Sequence, residues 1–140
     1  MELWFAGLVE DSDYEQSIKG LVRQLELTER VKFLGSRADV PELLAAADLY
    51  IMPSLQEAHS VAVLEALASG IPILASDIES FHFAAAFDGV QLVGSKDTSS
   101  FAAHAGLLLS SMSRYPRELG GYDIRSTASA YANMATTLDA

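Results

Sequence analysis

Two glutamates, Glu57 and Glu65, bracket the stretch EAHSVAVLE, with seven residues between them. The second stands inside a helix-forming run whose other members, Val61, Ala62, Val63, Leu64, Ala66, Leu67 and Ala68, are all apolar. Ser60 occupies the position of an N-cap and Gly70 that of a helix stop, with Pro72 beyond. Helical side chains lean toward the N-terminus, so Glu65 turns back toward the loop that carries Glu57. The free N–H groups of the first helical turn, with the helix dipole behind them, suit an anion. Carboxylates beside an anion site accept hydrogen bonds from hydroxyl groups. A phosphate joined to a polyol would use both features, and a nucleotide sugar is such a ligand. Plainer readings stand beside this one: Glu57 as a solvated loop residue, and Glu65 as a surface position on a half-buried helix.

The elements that must position these residues read as an alternation. Short apolar runs, ELWFAGL, VKFLG, DLYIMP, PILAS and VQLVG, have the length and composition of strands covered on both faces. Between them lie helical segments. SDYEQSIKGLVRQLEL places Ile18, Leu21, Val22 and Leu25 on one face, with Ser12 and Glu15 as a capping box. DVPELLAAA opens on Asp39 as its cap, and TSSFAAHAGLLLSSM repeats at Phe101, Ala105, Leu108 and Met112. DIRSTASAYANMATTLDA repeats at Ile124, Tyr131, Ala135 and Leu138, and ESFHFAAAFDG predicts a short helix. The fold class is therefore α/β, a doubly wound parallel sheet of about five strands with helices on both faces. Residues 1–140 are expected to form a single Rossmann-like domain. Ligands of such sheets bind beyond the carboxyl ends of the strands, and the Glu57 loop follows the third.

Composition narrows the classes. A formal net charge of −10 disfavours phosphate backbones and anionic membranes, so nucleic acid is not an expected partner. A few local donors still suffice for a small phosphorylated ligand. With no cysteine there is no disulfide framework and no thiolate nucleophile, which fits a reducing compartment. No apolar run approaches the roughly 18 residues of a membrane span, and MELWFAGLVEDSD lacks a basic signal-peptide start. The expected location is cytoplasmic. His59, His82 and His104 share no metal-ligand spacing.

At these residues the chain resembles a known family. The motif EAHSVAVLE looks like the paired-glutamate motif of retaining GT-B glycosyltransferases, glycosyltransferase family 4 in particular. RVKFLG, LLAAADLYIMPSLQE and LEALASGIPILASD resemble that family's donor-binding domain in order and spacing. The resemblance implies half of a GT-B fold and transfer of a sugar from a nucleotide diphosphate sugar to a hydroxyl acceptor. Glu57 would be catalytic and contact the donor sugar's hydroxyls, and Glu65 would accept from the ribose hydroxyls. Ala58, His59, Ser60 and Val61 would line the donor site, their backbone facing sugar and diphosphate. Neither cofactor nor metal is implied. Arg37, which follows FLG, is a further candidate for the nucleotide, with a solvated arginine as the plainer alternative. AHS stands where the family often has small or glycine-rich residues, and His59 adds bulk near the sugar.

The family also carries an earlier strand, with an arginine and a lysine that clamp the diphosphate, and an N-terminal acceptor domain. Their absence from this sequence predicts an inactive isolated chain. It makes a second chain or an acceptor domain a possible partner. If the sheet closes without that strand, its order is the flavodoxin-like 2-1-3-4-5, with a ladder between LWFAGL and DLYIMP. The rival functions are a non-catalytic subunit or truncated binding domain, and a degenerate receiver-like signalling domain. Glu10, Asp11, Ser76 and Lys96 superficially fit the receiver, but its phosphoacceptor Asp is missing where the third strand ends Met52-Pro53-Ser54.

Overall fold

A computed structural model of the chain describes residues 1–58, 60–111 and 113–122. The helix expected from Ile124 to Leu138, and Met112, lie outside the described residues. The chain divides into two compact units, Met1–Val40 and a second that begins at Pro41.

The first unit is a β-α-β turn of chain. β1 (Leu3–Ala6) and β2 (Val31–Gly35) run parallel, Leu3 opposite Val31 and Phe5 opposite Phe33, whose rings stack at 5.1 Å. Between them runs α1 (Ser12–Gln24), started by Asp11. The Asp11 carboxylate accepts from the N–H groups of Asp13 and Tyr14, both at 2.9 Å. This corrects the expected Ser12–Glu15 capping box by one position. Asp11 already has the extended backbone a cap requires, and Glu15 pairs instead with Lys19, one turn on, at 2.9 Å. The apolar face of α1 is only partly covered: Ile18 and Val22 are half-buried, while Leu21 and Leu25 are exposed.

The second unit has its own sheet and core. α2 (Val40–Ala46) leads into it, and β3 (Tyr50–Met52), β4 (Ile73–Ser76) and β5 (Val90–Val93) form a parallel ladder with β4 in the middle. Tyr50 lies opposite Ile73, and Ile73 opposite Val90. Every residue of β4 is buried. Alternation sends Leu74 to one face and Ile73 and Ala75 to the other, so both faces are covered. On the first face Leu74 and Val93 pack with Leu108 of α4 (Thr98–Ser111), flanked by Phe101 and Ala105 at the predicted spacing. α3 (Val61–Ser69) contributes Val63, Ala66 and Leu67, all fully buried. The expected short helix after β4 is a 3₁₀ segment, Glu79–Ala86, that buries Phe81 and Ala84.

All five predicted strands form, and every pairing is parallel. The ladders run β1-β2 within the first unit and β3-β4-β5 within the second, and the order 2-1-3-4-5 is not confirmed.

Candidate functional site

The Glu57 loop leaves β3 at Met52 and ends at the start of α3. The Ser54 hydroxyl donates to Glu57 Oε1 at 2.9 Å, three residues on, and both side chains are half-buried. Ala58 is exposed, and His59 lies outside the described residues. Ser60 closes the loop with extended backbone (φ −97°, ψ 103°) and is 5% exposed. Its Oγ accepts from the Val63 N–H at 3.4 Å, as a cap should, and its carbonyl accepts from the Leu64 N–H. The N–H groups of Val61 and Ala62 belong to the first turn, where a helix offers no partner of its own. At the other end Gly70, in the left-handed region at φ 73°, stops α3 where the sequence places the stop.

Although α3 is apolar in sequence almost all round, burial sorts its faces. Val61, Glu65 and Ala68 form an exposed stripe at i, i+4 and i+7. Glu65 thus stands one turn above the helix start on its open side, and charge there costs little. Tyr50 opens β3, the strand that leads into the Glu57 loop. The half-buried Tyr50 hydroxyl donates to Met52 Sδ at 3.4 Å. Burial, and then the negative charges of Glu57 and Glu65, push this hydroxyl up to about 12. The Tyr50 hydroxyl thus feels the charge of both carboxylates.

Arg37, the further candidate for the nucleotide, is paired locally. It belongs to the first unit, and its Nε donates to Asp39 Oδ1 at 2.7 Å while Nη2 meets Oδ2. Asp39, expected to cap α2, thus gives both carboxylate oxygens to Arg37. This bidentate bond, on the surface, raises the guanidinium and lowers the Asp39 carboxyl from their ordinary values.

The other loops at the carboxyl ends of the second sheet bond locally. His82 Nε2 lies 2.8 Å from Asp77 Oδ1 after β4. Asp97 caps α4, accepting from the Ser100 N–H at 2.9 Å and hydroxyl at 2.7 Å, and these bonds hold its carboxyl below the usual range. Ser76, a candidate in the receiver reading, is fully buried with no hydrogen-bond partner for Oγ among the described residues, and meets no ligand from solvent. Among the described residues no three His, Asp or Glu side chains converge as a metal site. No helix among them is long and apolar enough to cross a membrane. Sequence reasoning missed Ser54 and Tyr50. A serine three residues before a loop glutamate is a local bonding pattern, and Tyr50 and Met52 share a strand face by alternation.

The Glu57 loop, the Ser60-capped start of α3 and Glu65 one turn on thus stand at and beyond the carboxyl end of β3. Residues 1–111 match the family described as Glycosyl transferases group 1, and the chain belongs to that family. The lipopolysaccharide glucosyltransferase WaaG of Escherichia coli (strain K12) is 38% identical over 66 residues, 47% of this chain and 18% of that protein. The lipopolysaccharide core biosynthesis mannosyltransferase LpsB of Rhizobium meliloti (strain 1021) is 32% identical over 68 residues, 49% of this chain and 19% of that protein. The chain therefore covers about a fifth of the length of these curated relatives. The crystal structure of WaaG superimposes with a TM-score of 0.69 at 26% identity, over 78% of this chain and 29% of that one. Anabaena Alr3699/HepE in complex with UDP-glucose does so with a TM-score of 0.62 at 25% identity, over 99% of this chain and 40% of that one. The resemblance to GT-B glycosyltransferases, carried in the sequence by Glu57 and Glu65 and their frame, is borne out at the level of family and fold class.

Proposed function

We propose that this chain supplies the donor site of a retaining glycosyltransferase that takes a sugar from a uridine diphosphate sugar. The observation that carries the reading is Glu57 in the loop before the Ser60-capped helix, with Glu65 on the open face of that helix, in a chain of this family. Glu57 accepts from the hydroxyls of the donor sugar, and Glu65 from those of the ribose. The backbone of Ser60 and Val61 faces sugar and diphosphate. During transfer the bond between the sugar's anomeric carbon and the diphosphate oxygen breaks as the acceptor oxygen bonds to that carbon, and the acceptor hydroxyl's proton passes to the departing diphosphate. Negative charge then grows on the leaving diphosphate, and fixed N–H groups and a helix dipole stabilise it without reorganising. No metal is assigned a role. Uridine is supported by the UDP-glucose complex of the Anabaena relative. The acceptor is held by an N-terminal domain or a second chain, so the chain alone transfers no sugar.

Calorimetry on the full chain with UDP and UDP-glucose tests the reading. Binding is expected at the Ser60 helix start, and Glu65→Ala should weaken both ligands by about 1–3 kcal/mol, one charge-assisted hydrogen bond. Equal affinities for wild type and variant would remove Glu65 from the site. No binding at millimolar concentration would sink the donor reading. If nucleotide binds but transfer stays absent even with an acceptor-binding partner, the non-catalytic subunit is the better description.

A further inference from the structure

We propose that Ser54 is a positioning residue that sets the direction of the Glu57 carboxylate, a role that rests on the donor-site reading above. β3 ends at Met52, Pro53 fixes the next backbone torsion, and Ser54 is the first loop residue with a hydrogen-bonding side chain. Its hydroxyl holds Oε1 of Glu57 at 2.9 Å. Among the described residues Oε2 has no hydrogen-bond partner, so one oxygen is anchored and the other is open to a ligand hydroxyl. Tyr50 is near enough to feel the Glu57 charge, yet its own hydroxyl donates to Met52. Ser54 is thus the one hydrogen-bonding anchor of Glu57 among the described residues. A neutral hydroxyl suits this role because it fixes the rotamer without neutralising the charge. An ammonium or guanidinium there would weaken the carboxylate as an acceptor. An unanchored glutamate would have to give up its side-chain freedom on each binding event, and pre-ordering removes that cost.

Because Glu57 faces the sugar and not the nucleoside, the effect must be selective. Calorimetry on the full chain, with UDP and UDP-glucose as probes, compares wild type, Ser54→Ala and Ser54→Thr. Ser54→Ala should lose about tenfold in UDP-glucose affinity, the scale of one hydrogen bond to a charged group, and keep its affinity for UDP. Ser54→Thr retains the hydroxyl and should recover the loss. An alanine variant that weakens both probes equally, or neither, overturns the proposal, as does a threonine variant no better than alanine. A measurement without ligand separates this failure from that of the donor reading. Side-chain Hα–Hβ couplings of Glu57 should report one χ1 rotamer in the wild type and rotamer averaging in Ser54→Ala. Averaged couplings already in the wild type overturn the Ser54 anchor whether or not nucleotide binds. Fixed couplings with no binding of either probe uphold the anchor and sink the donor site.

Discussion

The two ends of the β3-β4-β5 sheet are finished in different ways. At the amino ends, residues 113–119 lie across the chain as a strap of long-range bonds. Arg114 donates to the carbonyls of Leu44, Ala45 and Ala47, where α2 gives way to β3, across 67 to 70 residues of sequence. Arg117 donates to the carbonyls of Leu67, Ile71 and Asp88, just ahead of β4 and β5. Between them the Tyr115 N–H bonds the Gly70 carbonyl at 2.7 Å. These acceptors include helix C-terminal carbonyls, whose partial negative charge suits a guanidinium. At the carboxyl ends the bonds are local: Ser54 to Glu57, Asp77 with His82, Ser100 to Asp97. One edge spends its cations on backbone and fastens distant segments together. The other keeps carboxylates and helix N–H groups available. Stability should therefore be lost by changes at the first edge and ligand affinity by changes at the second.

The largest break in that comparison should come from Gly89→Ala. Gly89 precedes β5 at φ +74°, and a Cβ there would lie 2.2 Å from the Tyr115 ring. An L-residue in the left-handed region costs about 1–2 kcal/mol, and displacing a packed ring adds about 1–3 kcal/mol. Urea unfolding should show a loss of roughly 3 kcal/mol, with UDP affinity of the folded protein unchanged. A loss under about 1 kcal/mol would mean that Tyr115 is not held at that edge. Arg117→Ala comes next, at about 2–3 kcal/mol for carbonyls left without a donor. Arg114→Ala should cost about 1 kcal/mol, because Arg114 is exposed and water replaces it. Arg117→Lys should recover little, since a point charge cannot reproduce the fork. Equal losses for the two arginines would undo the claim that burial, which also lowers the Arg117 pKa, makes Arg117 the stronger fastening.

The same contrast explains what the sequence made legible. Signals acting within a few residues were readable: the five strands, the Ser60 cap and Gly70 stop of α3, and the Glu57–Glu65 spacing. The α1 cap fell on Asp11 and not on the expected Ser12, a choice that turned on a backbone torsion that composition does not reveal. The strap was invisible, because nothing in SRYPREL announces carbonyl partners 29 to 70 residues away. Apolar strands announce that they pair, but not with which partner, which is set by packing beyond the local window. Within the site, the plainer reading of Glu65 as a surface position on a half-buried helix fits its exposure, and burial separated faces that the apolar neighbours alone did not.

The smallest effect sharpens the carboxyl edge itself. Burial first, then Glu57, then Glu65 raise the Tyr50 hydroxyl from 10.0 to about 12. The unfolded chain loses this proton near 10.0 and the folded one near 12, so folding retains a proton between those values. The contribution of Tyr50 to stability is thus complete below pH 10 and is lost as pH rises toward 12. Ultraviolet titration of tyrosinate on the full chain should show a late-ionising group that Tyr50→Phe removes. Glu57→Gln should bring that ionisation to lower pH, and Glu65→Gln should do so by less, following the order of the two charges. Neither variant should return it to 10.0, because burial is the larger cause and both leave it in place. If Glu65→Gln leaves the titration unmoved while Glu57→Gln shifts it, Glu65 is not part of the neighbourhood, and the carboxyl edge offers a ligand one carboxylate where the donor reading needs two.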